Sequence, residues 1–200
     1  MKRKEIFVLG AGAVGVCTAL YLQRDGHSVT LVDSDDPGAG ATLGNAGIIQ
    51  CASVVPLANR GVLRQIPKML FARDQPLVIR WQYLPSLFPY LVRFIAAASP
   101  ARVEAISRAL TSIIPRAYEA YKPLVEAAGI QNQVRQSGEL HVFESMSAYQ
   151  NALFAFDMRR ERGVDVQVLD QNQLREFEPA LAHTIRVAVL LPAAYQTINP

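Results

Sequence analysis

Cysteine, histidine and tryptophan are scarce in this 200-residue chain, which holds two, three and one of them. Cys17 and Cys51 are too few and too far apart for a zinc site, no other metal cluster is evident, and nothing argues for an oxidising compartment. Cys17 falls in a helix-like stretch, where a small buried thiol is the ordinary expectation. Charge is sparse as well: 18% of residues are charged and the formal net charge is +3. The basic residues are scattered. The nearest thing to a cluster, Arg159, Arg160 and Arg162, shares its segment with Asp157 and Glu161, so a solvated face is expected and no nucleic-acid partner is implied. Long apolar runs are missing too. The nearest, Trp81 to Ala98, is interrupted by Pro85, Pro89 and Arg93. The start Met1-Lys2-Arg3-Lys4 resembles the basic region of a secretory signal. The apolar run behind it is only a strand long and leads into a glycine loop that cleavage would destroy. A cytoplasmic protein is expected. Half the residues are hydrophobic, enough to build the core of one substantial domain or two small ones. No internal repeat or low-complexity tract interrupts them.

What the chain does have is a dense signal at its start. Ile6-Phe7-Val8-Leu9 has strand character and runs into Gly10-Ala11-Gly12-Ala13-Val14-Gly15. A helix-like stretch follows from Ala13 to Arg24, Gly26 breaks it, Ser28 to Val32 reads as a second strand, and Asp33 stands at its end. Gly10 permits a tight turn, Gly12 lets the backbone approach a pyrophosphate, and Gly15 lets helix and strand pack closely. The helix N-terminus then faces phosphate with free N–H groups and the positive end of its dipole. Asp33, about twenty residues on, is placed to accept from a ribose hydroxyl. A glycine-rich turn without a ligand would not account for where that acid falls. Dinucleotide binding is the expectation.

After Asp33, residues 34–47 are rich in glycine and small residues and read as a loop lying close to a ligand. A nicotinamide-type fold would next supply a second helix and a third parallel strand. From Leu57 to Ala128 the pattern is instead helical with frequent prolines, which disfavours a nicotinamide. Ser99-Pro100 reads as a cap and first helical residue, Pro115 as a kink or division, and Gly129 as a C-terminal cap. Strands are expected at Glu139 to Phe143, Asp165 to Leu169 and Ile185 to Leu191. Helices are expected from Ser147 to Arg162, closing at Gly163, and from a cap at Asp170 to near Glu178-Pro179. The fold class is α/β: a partial Rossmann-like nucleotide-binding domain over 1–56, a helical region over 57–130, and the start of an α+β substrate domain over 131–200. Ile198-Asn199-Pro200 reads as the start of another helix. Two parallel strands cannot bury both faces of a doubly wound sheet. Both points lead to the expectation that this is the N-terminal portion of a longer protein or a truncated product.

Together the glycine loop, Asp33, Thr42-Leu43-Gly44-Asn45-Ala46-Gly47 and Glu178-Pro179-Ala180-Leu181 resemble the FAD-dependent amino-acid oxidoreductases of the D-amino-acid oxidase superfamily, and in particular the D-amino-acid dehydrogenase branch. The stretch from Pro56 to Arg102 adds to the likeness. The resemblance covers essentially the whole chain but about half of a typical member. It implies FAD held by Gly10, Ala11, Gly12, Ala13, Val14 and Gly15 at the pyrophosphate and by Asp33 at the adenosine ribose. Thr42 would reach the phosphates or ribityl chain, and Asn45, Ala46, Gly47 and Ile48 would line the flavin. The family chemistry is hydride transfer from the substrate Cα to flavin N5, after which the imino acid hydrolyses to a 2-oxo acid and ammonia. The family's carboxylate-binding Arg and Tyr belong to a C-terminal half that is absent here, so no catalytic residue is assigned. The resemblance also implies an amino-acid substrate, a quinone or other respiratory-chain acceptor, and peripheral contact with the inner face of the cell membrane. A related amine oxidoreductase of glycine, sarcosine or D-hydroxyproline type and a non-catalytic remnant remain as alternatives.

Some residues have blander readings. His27 reads as a solvated turn residue and His183 as a loop residue. His141 reads as a structural strand residue without a second ligand at metal spacing. Trp81, Tyr83 and Tyr90 are expected to pack the helical region. Leu84 to Ala98 has two readings, core burial against the missing half of the fold and contact with a membrane surface, and burial is the expectation.

Overall fold

The strand, glycine turn, helix and strand expected at the N-terminus are present in a computed structural model that describes residues 2–71, 80–181 and 183–198. β1 spans Glu5–Leu9, α1 Ala13–Arg24 and β2 Ser28–Val32. Gly26 closes α1 with a left-handed φ of +88°. Its N–H donates to the Gln23 carbonyl and that of His27 to the Leu22 carbonyl, the paired bonds of a Schellman cap. After β2 come β3 (Ile48–Ile49), α2 (Arg60–Phe71), α3 (Leu84–Ala97), α4 (Pro100–Thr111), α5 (Ala117–Ala128), β4 (Val134–Gln136), β5 (Glu139–Phe143), α6 (Met146–Glu161), β6 (Gln167–Leu169), α7 (Gln171–Phe177), β7 (Val187–Leu191) and β8 (Tyr195–Thr197).

Two compact units emerge, each assembled from separated stretches of chain. One comprises Met1–Ile49, Ala117–Ser137 and Tyr195–Pro200, the other Gln50–Arg116 and Gly138–Ala194. In the first unit β1 and β2 pair in parallel, with Ile6 opposite Val29 and Val8 opposite Leu31. These half-buried residues alternate with exposed Phe7, Leu9, Thr30 and Val32, so only one face of the ribbon is covered. That matches the expectation for two parallel strands alone. β8 lies between β3 and β4 and is antiparallel to both, pairing Gln196 with Ile48 and with Arg135. None of these three short strands was expected. Tyr118 of α5 stacks on Tyr195 with ring centroids 3.6 Å apart. The Tyr21 hydroxyl donates to the Ala120 carbonyl at 2.6 Å, fixing α1 to α5.

In the second unit β7 is the middle strand of an antiparallel sheet ordered β5-β7-β6, and every one of its residues is buried. Strand alternation explains this. Val189 and Leu191 join Phe156 of α6 and Ala52 in one cluster, while Ala188 joins Leu174 of α7 and Ile185 in another. Helices on both faces therefore make the run Val187-Ala188-Val189-Leu190-Leu191 apolar throughout, and each fully buried Val or Leu contributes about 1.5–3 kcal/mol. Ser145 caps α6 by accepting from Ala148 N–H at 3.2 Å. At α7, Asp170 and Gln173 form a complete capping box.

Most element boundaries agree with the sequence reading within two residues, and Pro115 sits in a 3-10 turn, Ile114–Arg116, that separates α4 from α5. Ser99 takes the extended cap conformation before Pro100, yet its side chain makes no capping bond. Three expectations need correction. The Arg159–Arg162 segment is not simply a solvated face. Arg160 pairs with Asp157 at the surface, but Arg159 turns inward to the Ala52 carbonyl, and Arg162 donates to Ser107 Oγ at 3.1 Å and to Glu104. Trp81 and Tyr83 do not pack the helical region but are exposed, exposed Tyr90 stacks on Phe94 of its own helix, and α3 contains no buried residue. Cys17 is half-buried, not buried. Among the described residues, no helix is long and apolar enough to cross a membrane. The Asn199-Pro200 helix start, and residues 72–79 of the Pro56–Arg102 stretch, lie outside the described residues.

Candidate functional site

The glycine loop of the first unit is built by close backbone approach. Gly10 turns at φ +103°, and its N–H donates to the Val32 carbonyl at 2.8 Å, bringing the end of β1 against the end of β2. A Cβ on Gly15 would lie 1.8 Å from the Gly10 carbonyl oxygen, so only glycine lets α1 start this close to β1. Gly12 is the N-cap of α1 and brings no side chain to it. The first intrahelical bond runs from Val16 N–H to the Gly12 carbonyl at 3.0 Å. The amides of Gly12, Val14 and Gly15 therefore have no carbonyl partner within the helix and are donors suited to an anion. Val14 is exposed beside them.

Loop and strand-end side chains organise the rest. Asp33 Oδ2 accepts from Ala11 N–H at 2.5 Å, and Oδ1 accepts from Asp35 N–H at 3.2 Å. The Ala11 amide, followed by those of Asp35 and Ser34, holds the Asp33 carboxyl below its usual range. Gly38 N–H donates to the Ala11 carbonyl at 2.9 Å, so the buried Ala11 is held on both sides. Thr42 Oγ1 accepts from Ala13 N–H at 3.1 Å and so supplies from a neighbouring loop the cap that Gly12 lacks. Asn45 ties down its own turn, donating to the Thr42 carbonyl and accepting from Gly47 N–H, both at 2.6 Å. Gly47 turns at φ +63°, and its carbonyl accepts from Thr197 N–H at 2.8 Å. Ile48 begins β3 and is exposed.

A cavity of about 500 Å³ opens beside these residues. Ala13, Thr42 and the 45–49 segment, with Ala46, form one wall, and Tyr121, Val125 and Ile130 form the other. This second wall was not singled out from the sequence. Its trace is there in the i, i+3, i+7 spacing of Tyr118, Tyr121 and Val125 along α5, which gives the helix one apolar face. Tyr121 and Cys17 are hydrogen-bonded to each other, and burial pushes both the phenol and the thiol above their ordinary ranges.

The family model of the FAD-dependent oxidoreductases named DAO matches residues 5–200. The chain belongs to this FAD-dependent family. It is 34% identical to a D-amino-acid oxidase of Bradyrhizobium diazoefficiens over 98% of this chain and 47% of that protein. Identity to a D-amino acid dehydrogenase of Dechloromonas aromatica is 35% over 89% of this chain and 43% of that one. The chain thus spans less than half the length of these curated relatives. Among solved structures, glycine oxidase from Geobacillus kaustophilus superposes with a TM-score of 0.60 at 18% identity, covering all of this chain and 42% of that one. The FAD-bound L-alpha-glycerophosphate oxidase of Mycoplasma pneumoniae gives 0.54 at 12%, covering all of this chain and 40% of its own. At such identities the structures establish the α/β oxidoreductase fold.

The second unit of this FAD-family chain carries a separate polar cluster. Gln50 Nε2 donates to Glu139 Oε2 at 2.6 Å, and His141 Nε2 lies 3.0 Å from Glu139 Oε1. His141 Nε2 meets the carboxylate without the alignment of a directed hydrogen bond. His141 first, then Gln50 and Arg159, hold the Glu139 carboxyl below its usual range against an opposing effect of burial. The His141 ring also meets Phe156 edge-on at 5.4 Å. Glu139 is a neighbour that the sequence reading did not connect to His141.

Proposed function

We propose that the first unit binds the FAD pyrophosphate at the N-terminus of α1 and that the protein is a D-amino-acid oxidoreductase of the dehydrogenase type. The observation that carries this reading is the set of amides at Gly12, Val14 and Gly15, which have no hydrogen-bond partner among the described residues and stand beside the Asp33 carboxylate. The donors fit a phosphate. Asp33 Oδ1 already accepts from Asp35 N–H and the Ser34 hydroxyl, while Oδ2, accepting from Ala11 N–H, keeps a lone pair for an adenosine ribose hydroxyl. Thr42, accepting from Ala13 N–H, has its own O–H hydrogen to offer a phosphate or ribityl oxygen. Ala46, Gly47 and Ile48 offer backbone and apolar surface to the flavin, and the Asn45 turn fixes their path. In this reading residues 1–56 serve the cofactor, 57–130 are a helical region, and 131–200 begin the substrate domain. When bound, FAD supplies the redox chemistry, taking a hydride from the substrate Cα so that the imino acid can hydrolyse to a 2-oxo acid and ammonia. The electrons pass on to a quinone-type acceptor, and the protein works in the cytoplasm in peripheral contact with the inner face of the membrane.

The test is the visible spectrum of the purified chain after incubation with FAD and gel filtration. A flavin band that is retained by the parent and lost in Gly12→Val and Asp33→Ala is expected. A band retained equally by both variants would remove the glycine loop from the cofactor site. Dye reduction with D-alanine, compared with sarcosine and D-proline, then separates the amino-acid reading from the secondary-amine one.

A further inference from the structure

Two side chains on β8 reach past the sheet ladder to residues 46 and 47. Gln196 Nε2 donates to the Ala46 carbonyl at 3.4 Å, and Thr197 Oγ1 donates to the Gly47 carbonyl at 3.3 Å. The Thr197 N–H meets that same Gly47 oxygen at 2.8 Å. Strand pairing accounts for this last bond and not for the two from side chains. The other end of the Ala46–Gly47 peptide is held as well, because the Gly47 N–H donates to Asn45 Oδ1 at 2.6 Å. One peptide plane is therefore fixed at its carbonyl by β8 and at its N–H by the Asn45 turn.

The residue being held explains why the hold matters. Gly47 has φ +63° and no Cβ, so the peptides on either side of it turn at little cost unless something fixes them. A trans peptide points its N–H opposite its carbonyl. With the Gly47 carbonyl turned to β8, the Ile48 N–H faces away from it, and β3 lies at the edge of its sheet. Thr197 and Gln196 thus set the direction in which the 46–48 strip offers its polar groups. Half-buried Thr197 also lines the cavity of about 500 Å³ together with Ala46, Gly47 and Ile48.

We propose that Thr197 and Gln196 are positioning residues for the flavin, acting through the 46–48 strip, whose peptide planes they hold in the orientation that receives it. This rests on the reading of Ala46, Gly47 and Ile48 as the flavin wall. It makes no use of the glycine loop, where pyrophosphate and ribose are read, so the two can fail separately. The hold acts through population. When a donor is lost, only a fraction of molecules keeps the strip in its receptive orientation, and the apparent affinity for FAD falls by that fraction.

The experiment compares FAD with ADP, which carries the adenosine and diphosphate but no flavin. Binding of each to the full chain is measured by calorimetry, and the visible circular dichroism of bound FAD is recorded. Thr197→Val keeps the branched shape and the backbone N–H and loses the hydroxyl, while Gln196→Met keeps the length and loses the amide. Each should weaken FAD binding by about fivefold, the equivalent of one ordinary hydrogen bond. The visible circular dichroism of the bound flavin should diminish with it, and ADP affinity should stay unchanged. Thr197→Ser restores the hydroxyl and should return both readouts to the parent values. A merely structural role would weaken FAD and ADP together through the folded fraction, and that result overturns the proposal. So does a Thr197→Ser that behaves like Thr197→Val. FAD affinity and circular dichroism unmoved in either variant overturn it for that residue. A parent that binds ADP but not FAD overturns it while the glycine-loop reading stands, and a parent that binds neither overturns both.

Discussion

Replacing the loop glycines by alanine one at a time should rank them Gly15, Gly10, Gly12 in loss of stability, for three different physical reasons. At Gly15 the added methyl would stand 1.8 Å from the Gly10 oxygen and 2.9 Å from the Gly10 carbonyl carbon. Ordinary contact needs about 3.5 Å, so helix and strand must part by roughly 1.7 Å. The obstacle is backbone and cannot rotate away. Overpacking costs about 1–3 kcal/mol, and this site belongs at the top of that range. At Gly10 the methyl meets nothing within 4 Å, but φ is +103°. An L-residue held at positive φ costs about 1–2 kcal/mol. At Gly12 the methyl would be 3.3 Å from Thr42 Oγ1, the end of a side chain that can turn, and alanine at an N-cap costs up to about 1 kcal/mol. The assay is urea unfolding followed by circular dichroism. With a slope of about 2 kcal/mol per molar, a 3 kcal/mol loss lowers the midpoint by about 1.5 M. Gly15→Ala unfolding at the parent's midpoint would refute the reasoning, and so would Gly12→Ala falling lowest of the three. FAD retention should order them differently, with Gly12→Ala losing cofactor out of proportion to its small loss of stability.

Other outcomes follow from the same geometry. The Asp33 and Glu139 carboxyls both titrate below their usual values of 3.8 and 4.5 in the folded protein. Their contribution is therefore complete above those values and lost as pH falls through the lower folded ones. Asp33→Asn and Glu139→Gln should each flatten the fall in urea midpoint between about pH 5 and 3, and an unchanged slope would count against the hydrogen bonds assigned to them. Arg162→Ala leaves the fully buried Ser107 hydroxyl without its guanidinium partner and should cost about 1–3 kcal/mol. Arg160→Ala, which breaks the surface pair with Asp157, should cost no more than about 0.5 kcal/mol in the same urea series. Asp170→Ala removes the capping box of α7 and should lower the urea midpoint by an amount equivalent to about 1 kcal/mol, a loss that Asp170→Asn should largely avoid.

What could be read from the sequence was what neighbouring residues decide among themselves. β1, α1 and β2 were legible because strand, glycine turn and helix follow one another without interruption, and the cap at Asp170 was legible because its partner Gln173 is three residues away. β3 and β8 were not. Two- and three-residue strands are too short to show alternation, and their pairing joins segments far apart in the chain. The Asp33 carboxylate was placed correctly at the strand end, but its hold on the Ala11 amide depends on how the loop folds back. Arg159 and Arg162 were misjudged because a charge count does not say which side of a helix faces inward, and Ser107 and Glu104 lie on another helix. Trp81 was misjudged for the opposite reason. Apolar residues imply a core until the structure leaves them uncovered.

The position of β8 has a consequence for how the protein is made. Gly47 leaves the ribosome early, yet the Thr197 amide and hydroxyl that bond to its carbonyl are 150 residues downstream. At about 5–20 residues per second this strand arrives some 7–30 s later. During that interval Ile48 and Ile49 have no neighbour on their β8 side, and neither does β4. β7, the strand buried on both faces of the second unit, ends only four residues before Tyr195, so its sheet partners β5 and β6 wait until almost the same point in synthesis. Both units are therefore closed by strands from the same late stretch, 187–197. A ribosome stalled before Val187 should display a cleavable β5 as well as a cleavable 45–49 segment.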